Sequence, residues 1–198
     1  VRAYQATCTK VIQRYGGHIA QHLGDGLLVY FGYPAAHEDD AQRAVRTGLE
    51  ILAGLPPLNA GLPPTIRARL PHPLQVRIGI HTGLVVAGEM GVGDQPEPLA
   101  IVGETPNLDA RLQQEAYPNT VVISAVTSHL IEGYFACADL GLHEVKGVPA
   151  PLQVYQVLGV LGESGVHGRL EVAARRGLTP LVGREPEVRL LLECWEQV

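Results

Sequence analysis

Apolar positions along the chain change period several times, and each change marks an element. Tyr4, Cys8, Val11, Ile12 and Tyr15 recur at three- and four-residue steps, which predicts a helix over residues 1–15. Gly16 and Gly17 end it, as glycine does just past a helix. From His18 to Leu23 apolar and polar residues alternate, and Leu27 to Phe31 is a nearly continuous apolar run. Between them, Gly24-Asp25-Gly26 contains an Asp-Gly pair, a strong hairpin signal. Glu38, Asp39 and Asp40 precede a stripe of Ala41, Ala44, Val45, Gly48, Leu49 and Leu52. That pattern predicts a helix over 41–55 with acidic residues at its positive end. Residues 54–73 are proline-rich and aperiodic, and are expected to form a loop.

Leu74–Ile80 and Leu84–Met90 read as strands paired across the turn His81-Thr82-Gly83. A glycine-rich stretch, 91–98, leads to a short strand at 99–102. Thr105 is expected to cap a helix that enters at Pro106 and runs to about Ala116. Tyr117-Pro118-Asn119 is a turn, Thr120–Ser124 a strand and Val126–Ile131 a short helix. His143–Lys146 and Leu152–Leu158 are the last expected strands. Residues 159–177 read as a polar linker, and 178–198 as the opening of something new that ends in a leucine-rich helix. Hairpins followed by helices predict α+β or α/β with one mixed sheet.

Composition narrows the function classes. Of 198 residues, 46% are hydrophobic and 18% charged, which fits a folded domain with a core. The net charge of −5 argues against a face that grips a phosphate backbone, so nucleic-acid binding is set aside. No uncharged apolar run approaches the roughly 20 residues of a membrane span, and no signal peptide is visible. Cys8, Cys137 and Cys194 are far apart and form no C-x-x-C pair, which argues against zinc and suits a cytoplasmic protein. The chain opens at Val1 and holds a single methionine, Met90, so a segment upstream is expected.

A few residues could carry chemistry. Asp25, between Gly24 and Gly26 at a hairpin tip, lets backbone and ligand approach a carboxylate closely. Such a carboxylate suits a hard cation held with phosphate oxygens. A plain turn aspartate is the alternative. Asn107 and Arg111 are four residues apart and share one helix face, where an amide and a guanidinium can bind a ribose oxygen and a phosphate. The alternative is a solvated face, with Arg111 paired to Glu104 or Glu115. Lys146 before Gly147 can reach a polyphosphate as a mobile charge. His81 reads better as a strand-end hydrogen-bonding residue than as a base, and Cys8 as core.

In order, the segments are 24–32 (Gly-Asp-Gly-Leu-Leu-Val-Tyr-Phe-Gly), Glu38-Asp39-Asp40-Ala41, 76–83 (Val-Arg-Ile-Gly-Ile-His-Thr-Gly), Val102-Gly103-Glu104-Thr105-Pro106-Asn107 with Arg111, and Val145-Lys146-Gly147. Together they resemble the class III adenylate/guanylate cyclase catalytic domain over about residues 1–158. The resemblance implies an α+β, ferredoxin-like βαββαβ core with its first strand missing from this chain. It implies a head-to-tail dimer, a homodimer or a paired cyclase domain, with ATP or possibly GTP at the interface. Two divalent ions, Mg²⁺ or Mn²⁺, would be held by two aspartates. Asp25 resembles one of them, and the strand bearing the other should lie upstream of Val1, so this piece alone is expected to be inactive. Asn107 resembles the ribose-orienting residue, Arg111 the transition-state arginine and Lys146 the lysine on the terminal phosphates. Gln21, four residues before Asp25, and Ala100, three before Gly103, stand at the base-selecting positions, and Gly24 flanks the nucleotide. Gln21, Ala100 and Leu84 (where an arginine often follows the turn) depart from the usual pattern. Those departures keep a second reading open, a non-catalytic nucleotide-binding or dimerisation module. A polymerase-like palm is disfavoured by charge and motif order. Leu178-Thr179-Pro180-Leu181-Val182-Gly183-Arg184-Glu185 resembles the approach to the phosphate loop of a signal-transducing ATPase, which implies a fused ATPase module beginning at 178.

Overall fold

A computed structural model describes residues 2–90, 97–102, 104–144, 150–161 and 183–196. The chain divides into two compact units, Val1–Leu161 and Gly162–Val198. The first carries α1 (Arg2–Arg14), β1 (His18–Leu23), β2 (Gly26–Tyr30), α2 (Asp40–Ala60), α3 (Pro64–Arg67), β3 (Arg77–Ile80), β4 (Val86–Met90), β5 (Glu97–Val102), α4 (Glu104–Glu115), β6 (Thr120–Ser124), α5 (Ala125–Ile131), β7 (Phe135–His143) and β8 (Leu152–Val160). The second unit contributes α6 (Glu185–Glu196).

The described strands form a four-stranded mixed sheet in the order β3-β6-β8-β7 and two hairpins, β1-β2 and β4-β5. β3 runs parallel to β6, and the other pairs are antiparallel. Alternation along β6 decides the layering. Val121 and Ile123 point to one face and pack with Val45 of α2, Ile131 of α5 and Phe135. Val122 points to the other and packs with Leu112 and Ala116 of α4 and Val154 of β8. The sheet therefore carries α2 and α5 on one face and α4 on the other. α1 lies along α2, with Arg14 paired to Glu50.

Several expectations are corrected. α2 does not end at residue 55; it runs to Ala60 through Pro56 and Pro57. Tertiary anchors outweigh the lost backbone donors there. Leu55 is buried, and Asn59 both donates to the Leu74 carbonyl (3.1 Å) and accepts the Leu74 N–H (2.7 Å). The expected loop after it contains the short helix α3. β3 does not pair with β4; it takes β6 as its parallel neighbour, while β4 pairs with β5. α4 starts at Glu104, so Thr105 lies inside it, and its Oγ1 donates to the Leu84 carbonyl (2.8 Å) instead of capping. Residues 145–146 of the strand expected at 143–146 lie outside the described residues; His143 is the last residue of β7 (Phe135–His143), a strand that the sequence pattern does not predict. Irregularities at Ala136/Cys137 and Asp139/Gly141 break the two-residue alternation that would have revealed it.

Candidate active site

The β1–β2 hairpin is built to present one carboxylate. Leu23 pairs with Gly26, so Gly24 and Asp25 form the turn, and the turn pair is Gly-Asp where the sequence suggested Asp-Gly. Gly24 has φ 65°, which a side chain would strain, and open space surrounds it. Asp25 follows, exposed at the tip. Gln21 is also exposed, pairs with Leu28 and follows a register shift after Ile19.

Behind the hairpin lies a cleft of about 1400 Å³. Every residue of β2 and of β3 lines it, together with Gln21, Asp25 and the α1 residues Tyr4, Cys8 and Ile12. Among the described residues no strand bridges β2 to β3. The Tyr4 phenol pKa is raised, first by burial, then by Cys8 and by Asp25. Burial likewise raises the Cys8 thiol.

Asn107 and Arg111 ride on α4. Arg111 is half-buried and makes no ion pair among the described residues. Glu115, one expected partner, instead meets His143 Nδ1 at 2.8 Å. The α4 residues that line the cleft include Asp109, Ala110 and Gln113, but not Arg111. The chain therefore does not bring Arg111 into the cleft that Asp25 borders. Ala100 pairs with Gly88 in the β4–β5 hairpin. Lys146 and the side chain of Asn107 lie outside the described residues.

A polar network seats the N-terminal end of α4. His81 Nδ1 lies 2.8 Å from Ser124 Oγ, and Thr82 Oγ1 lies 3.0 Å from Thr127 Oγ1. Ser124 is the N-cap of α5 and accepts the Thr127 N–H. Burial lowers the His81 pKa, which favours the neutral ring. With the Thr105–Leu84 bond, the turn after β3 ties α5 to α4.

Sequence reasoning missed Asp109. Its carboxyl is pushed up to about 7, chiefly by burial and against a hydrogen bond from the His81 backbone N–H. Its Oδ1 is buried without a hydrogen-bond partner. The signal was present: Asp109 stands three and seven residues before Leu112 and Ala116, on the apolar stripe of α4.

Among the described residues no cluster of three or more His, Cys, Asp or Glu could enclose a metal. Asp25 offers one open carboxylate. Mg²⁺ sites use one or two carboxylates with water and substrate phosphates, so Asp25 fits as one part of such a set.

Comparison with known proteins identifies the family of this α+β domain and its carboxylate-tipped hairpin. The chain belongs to the adenylate and guanylate cyclase catalytic domain family, whose model matches residues 5–159. An uncharacterized protein of Rhizobium meliloti (strain 1021) is 32% identical over 99% of this chain, and adenylate cyclase 1 of the same organism is 28% identical over 77%. The chain spans only 18% and 23% of those relatives' lengths. Among solved structures, the adenylyl cyclase CyaB from P. aeruginosa has a TM-score of 0.74 and 31% identity, covering 83% of both chains. The guanylyl cyclase Cya2 has a TM-score of 0.72 and 32% identity, covering 81% of this chain and 79% of its own. No described helix is long and apolar enough to cross a membrane.

Proposed function

We propose that this domain is a nucleotidyl cyclase that converts ATP to 3′,5′-cyclic AMP and pyrophosphate in intracellular signalling. The observation that carries the reading is the glycine-built turn that holds Asp25 open at the mouth of the cleft, in a chain of this family. Asp25 would hold a divalent ion, Mg²⁺ or Mn²⁺, together with phosphate oxygens. A second ion would rest on a carboxylate from the strand that completes the sheet between β2 and β3. Bound there, such ions would supply charge that neutralises the leaving pyrophosphate and acidifies the ribose hydroxyl. The 3′-oxygen forms its bond to the α-phosphorus, the bond from that phosphorus to the pyrophosphate oxygen breaks, and the hydroxyl proton is released.

The other residues act across a head-to-tail dimer. Arg111 makes no ion pair among the described residues, which supports its service to a partner's site. Its planar guanidinium stabilises charge that develops at the transferred phosphorus. Asn107, one helical turn away, orients the ribose, and Lys146 holds the terminal phosphates. Gly24 permits close approach, while Gln21 and Ala100 face the base. Neither brings the usual base-selecting group, so GTP is the competing substrate, and a non-catalytic nucleotide-binding module is the second reading. Three free cysteines fit a cytoplasmic setting. Residues 178–198 begin a fused ATPase module in this reading; the Rhizobium meliloti relative, which matches beyond residue 159, supports a shared extension.

The test is product analysis. The longer polypeptide carrying the completing strand, given Mn²⁺ and ATP or GTP, should form cyclic AMP detectable by mass spectrometry, and Asp25→Ala should abolish it. No cyclic product from either nucleotide, from a dimer intact by light scattering, would overturn the cyclase reading in favour of the non-catalytic module.

A further inference from the structure

Asp109 has no part in the chemistry above. It shares the sheet-facing stripe of α4 with Leu112 and Ala116, not the face of Arg111. A Cβ at Gly79 would lie 2.5 Å from the Gln113 nitrogen and 2.7 Å from the Asp109 carbonyl oxygen. α4 therefore rests directly on β3, at a contact that only glycine permits. The close seat brings the Asp109 carboxyl to the cleft between β3 and β2, beside Tyr30 and His81. One hydrogen bond reaches it, from the His81 backbone N–H, and Oδ1 stays buried and unpartnered. Buried acceptors in native proteins are satisfied, so an orphan needs an explanation.

The cleft itself supplies one. β2 and β3 line it along their whole lengths, with no strand between them among the described residues. Open edges of this kind accept an extended segment. A strand lying beside β3 directs alternate side chains toward α4. We infer that Asp109 is the anchor for this strand, its free oxygen accepting a hydrogen bond from a hydroxyl or amine side chain on the α4-facing side. The inference rests on the reading that a strand completes the sheet. It adds a requirement on that strand's sequence, namely a donor in register with Asp109.

Short peptides test it on the chain as it stands. Two probes of about nine residues, alternating valine with either serine or alanine, present hydroxyls or methyls on one face in every register. At pH 8, where the carboxyl is ionised, the serine peptide should bind about tenfold more tightly by fluorescence anisotropy, the difference expected of a hydrogen bond to a carboxylate. Both peptides should protect the β2 and β3 amides from exchange. The preference should vanish in Asp109→Leu and persist in Asp109→Asn, which keeps an acceptor. Equal affinities with full protection of β2 and β3 would overturn the role of Asp109 alone. No protection by either peptide would overturn the strand reading and this inference with it.

Discussion

Replacing Asp109 by Asn should remove a pH dependence from the stability of this chain. The buried carboxyl titrates at about 7, against an ordinary value of 3.8. The folded state therefore holds its proton more tightly than the unfolded state between those values. Asp109's contribution to stability is fully present below pH 3.8 and is lost as pH rises through 7. At about 1.36 kcal/mol per pKa unit, the loss approaches about 4 kcal/mol above neutrality. That is large beside the roughly 5–15 kcal/mol that holds a domain together. Urea unfolding of the parent chain and Asp109→Asn at a series of pH values from 4 to 8 isolates the term, because other titrating groups cancel in the difference. The variant should gain on the parent steadily as pH rises. A difference that stays flat from pH 4 to 8 would refute the argument, and would mean that water reaches the carboxyl through the cleft.

Other expectations follow from the same contacts. Gly79→Ala should destabilise by about 1–3 kcal/mol, since its Cβ meets the α4 backbone, and a lowered melting temperature would register it. Ser124→Ala removes the α5 cap and the His81 partner together and should cost at least about 1 kcal/mol in denaturant unfolding. Arg111→Ala should leave the melting temperature nearly unchanged, because no described ion pair is lost, yet reduce kcat for cyclic product by about 10²–10³.

The parts of the fold legible in sequence are those with local causes. The β1–β2 hairpin follows from alternation and a glycine-rich turn, and β6 with α5 from an apolar run closed by the Ser124 cap. What was hidden depends on distant partners. Two prolines argued against a helix that buried Leu55 and the Asn59–Leu74 bonds sustain. The parallel pairing of β3 with β6 joins segments about forty residues apart, and no local pattern announces it. Asp25, Asn107 and Arg111 were legible as candidates because glycine flanks and helical spacing are local signals. Asp109 escaped notice because a polar residue on an apolar stripe gains meaning only once its neighbours are known.

The central claim is that Asp25 and Arg111 serve one site from two different chains. Mixing Asp25→Ala with Arg111→Ala in a polypeptide that carries the completing strand tests it most directly. Each variant alone should be silent. A head-to-tail dimer has two equivalent sites, and a mixed dimer concentrates both defects in one of them and leaves the other intact. With half the dimers mixed, the mixture should recover about one quarter of the parent activity. A mixture as silent as its components, beside an active parent, would contradict a site shared between chains.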